Sequence, residues 1–209
     1  MTRTMPSREW FAHAGEGFVE QVRGVGAADL DRPGLGEWTV RDLIGHTNRA
    51  FTTVIDYVAP GTPDPDSGAL LRDAGAYFAA AAGGRIDHAA VAERGRKAGM
   101  DLGDNPVQVV LETQRRANLT VGELPDAKLV GTPFGPMRLV DYLETRAFEL
   151  TVHGLDLAYA LRRGVPAGTR ASVPQALRML ADIAGPDAAS AAVRALTGRA
   201  ALPAGFSLL

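Results

Sequence analysis

Residues Met137 to Arg163 read MRLVDYLETRAFELTVHGLDLAYALRR, the longest stretch in the chain that repeats with a helical period. Its centre, Phe148 to Asp156 (FELTVHGLD), is apolar on most sides: Phe148, Leu150, Val152, Leu155 and Leu157 are all hydrophobic. A helix of that kind is buried on most of its circumference. Glu149, His153 and Asp156 nevertheless follow one another at offsets of four and three, which keeps them within about 60° on the helix. Buried charged groups need a partner or a metal, because desolvating each alone costs several kcal/mol. The polar line on this helix therefore predicts a site.

Outward from it, the sequence predicts an all-α protein. A first helix is expected over 7–24, where Trp10, Phe11, Ala14, Phe18 and Val22 recur near the helical period. The break DRPGLGEW holds Pro33, Gly34 and Gly36, and a second helix is expected from Thr39 to Tyr57, capped by Thr39 with Asp42 three residues on. A third helix, capped from Ser67, covers ALLRDAGAYFAAAA. A short one is expected over 89–97. Another opens at Asn105-Pro106, with Pro at its first position. The segment AKLVG could form a strand but has no evident partner. The fourth main helix is the 137–163 stretch, followed by two shorter helices, VPQALRMLADIAG and DAASAAVRALTG. This organisation predicts a helical bundle over 1–163 with long connections, and a short helical extension over 164–209 packed on it.

Composition narrows the function classes. The 209 residues carry a formal net charge of −2, with 46% hydrophobic and 22% charged residues. Such a balance supplies no basic footprint for nucleic acid and no electrostatic attraction to an anionic membrane. The opening MTRTMPSREW lacks the apolar run of a secretory signal, and no later stretch approaches the roughly 18 apolar residues of a membrane span. A cytoplasmic protein is expected, and a homodimer is an open expectation for its assembly. Cysteine is absent, so the chain offers no disulfide, thiolate ligand or thiol nucleophile of its own.

A Glu/His pair four apart can converge on one ion, although many such pairs are ordinary helix-face hydrogen bonds. Three other histidines exist. His46 lies on the second helix among Leu43, Ile44, Phe51 and Val54, where a core histidine and a ligand are both consistent with the pattern. His13 and His88 are expected to be solvated.

Two stretches resemble a known family. PGLGEWTVRDLIGH is similar to the segment of the mycothiol-dependent maleylpyruvate isomerase family, among the DinB-like metal-binding bundles, in which a Pro-rich turn and a Trp precede a helix bearing a metal-binding His. GTPFGPMRLVDYLETRAFELTVHGLDLAYAL resembles its second signature, a Gly-Pro turn leading to Glu and His four apart with Asp close behind. The ending LTGRAALPAGFSLL is also similar to that of many members. The resemblance implies a DinB-like four-helix bundle and a divalent metal, zinc first, held by His46, Glu149 and His153. It assigns Asp156 a place behind the ligands, orienting one of them. It also implies a small thiol cosubstrate, mycothiol. The residues after Arg163 are expected to form too short a helical segment for the separate C-terminal domain of the characterised isomerase type, which widens the expected electrophile beyond maleylpyruvate.

Two histidines and a carboxylate leave a coordination position open on zinc, and a thiol bound there loses its proton readily. The expected activity is thiol-dependent transfer to, or cis–trans isomerisation of, a small electrophile. Metal-activated water would instead give a hydrolase. A non-catalytic DinB-like metal-binding or stress-response module is the remaining alternative.

Overall fold

The computed structural model describes residues 4–58, 68–83 and 88–208; of His88 only the backbone is described. The described residues form eight α-helices and one two-stranded hairpin. These are α1 (Ser7–Arg23), α2 (Val40–Val58), α3 (Ala74–Gly83), α4 (His88–Asp101), α5 (Pro106–Glu123), β1 (Leu129–Thr132), β2 (Gly135–Arg138), α6 (Leu139–Leu161), α7 (Ala167–Ile183) and α8 (Pro186–Leu196). The all-α expectation is borne out.

Four helices close into a ring in which α1 neighbours α6, α6 neighbours α2, α2 neighbours α5 and α5 neighbours α1. Each turns apolar side chains inward: Phe11 and Phe18 from α1, Leu43, Ile44 and Phe51 from α2, Val110 from α5, and Leu143, Leu150 and Leu157 from α6 are all buried. Apolar stripes of this kind gain about 25 cal/mol per Å² removed from water, which makes the ring the thermodynamic centre of the fold. The Phe51 ring meets Phe11 edge-on at 5.8 Å and Phe18 at 6.2 Å, tying α2 to α1 across the middle. The Ala-rich α3 buries only Ala74 and Tyr77 of its ten residues and sits beside α6 and α7. It has too narrow an apolar face to enter the ring, and α5 completes it.

Local signals set most helix starts. Thr39 and Asp42 exchange the capping bonds the sequence predicts: Asp42 N–H donates to Thr39 Oγ1 (3.2 Å), and Thr39 N–H donates to Asp42 Oδ2 (3.0 Å). Asn105 caps α5 by accepting from Gln108 N–H at 3.3 Å, with Pro106 at the first position. For α3, the cap on the described residues is the Asp73 carboxylate, which accepts from Ala76 N–H at 2.7 Å; Ser67 lies outside the described residues.

Two elements differ from expectation. The strand AKLVG does have a partner: Val130 pairs with Met137 and Thr132 with Gly135 in an antiparallel hairpin. Pro133 and Phe134 make the two-residue turn, closed by Thr132 Oγ1, which accepts from Phe134 N–H and donates to the Gly135 carbonyl. Gly135 has φ of 137°, a conformation open to glycine and strained for other residues. Residues 135–138 are therefore spent on β2, and α6 starts at Leu139 rather than Met137. Further on, α7 starts at Ala167 and runs through Pro174, where the sequence predicts the start of a shorter helix. The residues it adds at its start, 167–172, pack on α1. Gly17 and Gly168 face one another there, and a Cβ on Gly17 would come within 2.3 Å of Thr169 Oγ1. That close crossing outweighs the hydrogen bond lost at Pro174.

Candidate metal centre

The contact between α2 and α6 brings together residues far apart in the chain. His46 projects from α2 towards Glu149 and His153 on α6, and one ligand-capable atom from each of the three lies within 4.8 Å of the others. The imidazoles of His46 and His153 meet edge to face, centroids 5.0 Å apart. His153 Nε2 is 3.3 Å from Glu149 Oε2, while its Nδ1 is 3.0 Å from Asp156 Oδ2. Asp156 therefore holds the ring by one nitrogen and turns the other to the centre of the cluster, the arrangement second carboxylates give to metal-binding histidines.

His46 is set from behind. The Trp38 ring packs against it at a 36° tilt with centroids 4.5 Å apart, and Trp38 Nε1 donates to the Ala92 carbonyl of α4 at 3.0 Å. Two glycines make room for this wedge. A Cβ on Gly95 would fall 2.3 Å from the indole, and one on Gly45 would fall 2.3 Å from the Ala98 backbone. The turn Pro33–Trp38 that delivers the indole is closed by Gly34 N–H donating to the Trp38 carbonyl at 2.8 Å. The segment PGLGEWTVRDLIGH thus carries both His46 and the aromatic plate that fixes it.

A family model described as the mycothiol maleylpyruvate isomerase N-terminal domain matches residues 11–158. The chain belongs to that family. The matched span contains Trp38, His46, Glu149, His153 and Asp156. A crystal structure of the mycothiol-dependent maleylpyruvate isomerase shares the fold, with a TM-score of 0.52 over 81% of this chain and 68% of that one, at 17% identity. No curated protein matches.

In this member of the mycothiol maleylpyruvate isomerase N-terminal domain family the cluster is electrostatically uneven. Burial, and then the neighbouring His153, push the His46 imidazole down to about 4, so it is neutral at physiological pH. Burial opposes charge on Glu149 as well. The hydrogen bond and charge of His153 outweigh it and hold the carboxyl well below its ordinary range. His153 is desolvated too, but Asp156 and Glu149 raise it to about 9. The Glu149 carboxylate, Asp156 and a neutral imidazole therefore surround one protonated ring, a set in which a cation can replace that proton.

The donor set fits a divalent ion. His46 Nδ1 is buried with no hydrogen-bond partner, and buried polar atoms are rarely left so without a reason. His13 stands apart on α1, 3.7 Å from Glu9 and 3.8 Å from Glu16 and substantially exposed. The side chain of His88 lies outside the described residues.

Three residues at the site went unread in the sequence. Tyr142, Arg146, Glu149, His153 and Asp156 follow one another at offsets of four, three, four and three, so the polar seam of α6 extends two turns towards the N-terminus. The offsets could have revealed it; the apolar neighbours Leu143 and Ala147 hid it. Tyr77, from α3, meets Tyr142 at 6.1 Å across the seam and carried no sequence signal.

Proposed function

We propose that this chain is a metal-dependent enzyme that uses a low-molecular-weight thiol, mycothiol first, to act on a small electrophile by S-transfer or cis–trans isomerisation. The ligands in this reading are His46, Glu149 and His153, and the ion is zinc. The observation that carries it is the cluster of three donor atoms within 4.8 Å, one buried and unpartnered nitrogen among the rings, on a chain of this family. The likeness to the mycothiol-dependent isomerase supports the same reading for the thiol.

A divalent ion held there would favour a bound thiol as its thiolate. The chain has no cysteine, so the sulfur comes from the cosubstrate. Glu149 contributes negative charge and geometry. Asp156 keeps His153 Nδ1 protonated, which leaves Nε2 as the donor. Trp38 excludes water from the far side of His46. Among the described residues no fourth His, Asp or Glu joins the three donors, and Asp156 is engaged at His153. An open position favours catalysis over a purely structural ion.

The test is cobalt-substituted protein titrated with mycothiol. A sulfur-to-metal charge-transfer band that saturates, with a rise in melting temperature, supports the thiol reading. Absence of both removes it and leaves a structural-metal module or a hydrolase.

A further inference from the structure

One turn N-terminal to Glu149 on the same seam stands a buried cation that forms no ion pair among the described residues. Arg146 retains 9% of its exposure. Its Cζ lies 5.0 Å from the Tyr142 ring centroid and 5.4 Å from that of Tyr77. Nε donates to Thr145 Oγ1 at 3.0 Å and Nη2 to the Tyr77 hydroxyl at 3.3 Å. Among the described residues, no carboxylate forms an ion pair with it; Glu149, on the same seam, acts on it only through its charge at longer range and makes its close contact with His153.

A guanidinium out of water without an anion costs several kcal/mol, and two aromatic faces offset only part of that. Arginine presents five N–H donors in a planar fork matched to a carboxylate. Nη1 donates to no described group. It is also absent from the sealed, unpartnered polar atoms, whereas the neighbouring Tyr142 hydroxyl is one of them. Among the described residues, Nη1 of the fork is therefore an unpartnered donor open to a ligand. Arg146 and Glu149 are separated by about 4.5 Å along the helix axis, a distance that a small molecule reacting at the triad can bridge.

We propose that Arg146 is an anion-binding group of this site that receives a carboxylate of the electrophilic substrate while the thiol occupies the triad. The assignment of that carboxylate to the electrophile rests on the thiol reading above; the existence of the carboxylate subsite does not.

Calorimetric titration of the purified protein with succinate, maleate and acetate tests the subsite, with the uncharged succinamide as the control. The expected result is binding of at least one carboxylate and none of succinamide, weakened at least about tenfold in Arg146→Lys, which keeps the charge and loses the fork, and further in Arg146→Gln. Protein stripped of metal by chelation keeps the binding. If the unstripped protein holds no metal but the Arg146-dependent binding persists, the metal reading fails and the subsite stands. Carboxylate binding unchanged in Arg146→Lys, lost on stripping the metal, or absent from the wild type overturns the proposal. A merely structural guanidinium would lower the melting temperature of both variants without separating succinate from succinamide. Should Arg146→Gln not fold, the lysine variant decides alone.

Discussion

His46 and His153, on different helices, hold their imidazole rings edge to face at 5.0 Å and 86°, and only one of the two is protonated at neutral pH. Stability of the metal-free protein should follow from this asymmetry. His153 is raised above its unfolded value, so its contribution is complete below about pH 6.5 and fades as pH rises through about 9. His46 is lowered, so the unfolded chain takes up its proton first and stability falls as pH drops from about 6.5 towards about 4. Glu149 is lowered, and its contribution disappears only in stronger acid. Urea unfolding of stripped protein should therefore show maximal stability near pH 6 to 7. A stability that climbs steadily to pH 9 would contradict these assignments.

The proton on His153 must leave for a metal to bind. Metal affinity should rise with pH between about 6 and 9, with proton release on binding, read by calorimetry in buffers of different ionisation enthalpy. Affinity flat across that range would show that His153 does not compete.

Asp156 touches the proposed centre only through His153 Nδ1, at 3.0 Å. Asp156→Ala should weaken metal affinity about 10- to 100-fold while leaving the fold intact, since its side chain is partly exposed. His13→Ala should leave affinity unchanged, because His13 faces Glu9 and Glu16. Competition with a chelating dye separates the two outcomes.

Packing behind His46 makes a different prediction. At Gly45 a Cβ would meet the Ala98 backbone at 2.3 Å. Gly45→Ala should therefore drive α4 off α2 and cost about 1–3 kcal/mol, with weaker metal binding because the next residue is His46. Gly122, in α5, has nothing within 4 Å of its would-be Cβ. Gly122→Ala should be neutral or stabilising by up to about 1 kcal/mol. Denaturant midpoints of the two variants should move in opposite directions, or the second not at all.

Much of this was legible in the chain. The caps at Thr39 and Asn105 are local and read directly, and the spacing of Glu149, His153 and Asp156 survives folding because helical offsets fix it. His46 was legible as a ligand only through resemblance, since no local pattern says that α2 packs on that face of α6. The hairpin was missed because Pro133-Phe134 is not a strong turn pair and Gly135 supplies the needed φ outside it. The first six residues of α7 were missed because Pro174 signals a start locally, while the close Gly17–Gly168 crossing that stabilises residues 167–172 exists only in three dimensions. Arg146 carries no local signal in the sequence, and its meaning comes from Tyr77, which belongs to another helix.

The proposed activity requires one ion shared by His46, Glu149 and His153. Metal content, measured by mass spectrometry on protein purified without added chelator, tests it most directly, in wild type and in His153→Ala. Close to one divalent ion, chiefly zinc, is expected per wild-type chain and less than about a tenth of that in the variant; equal content in the two proteins would rule out the shared ion.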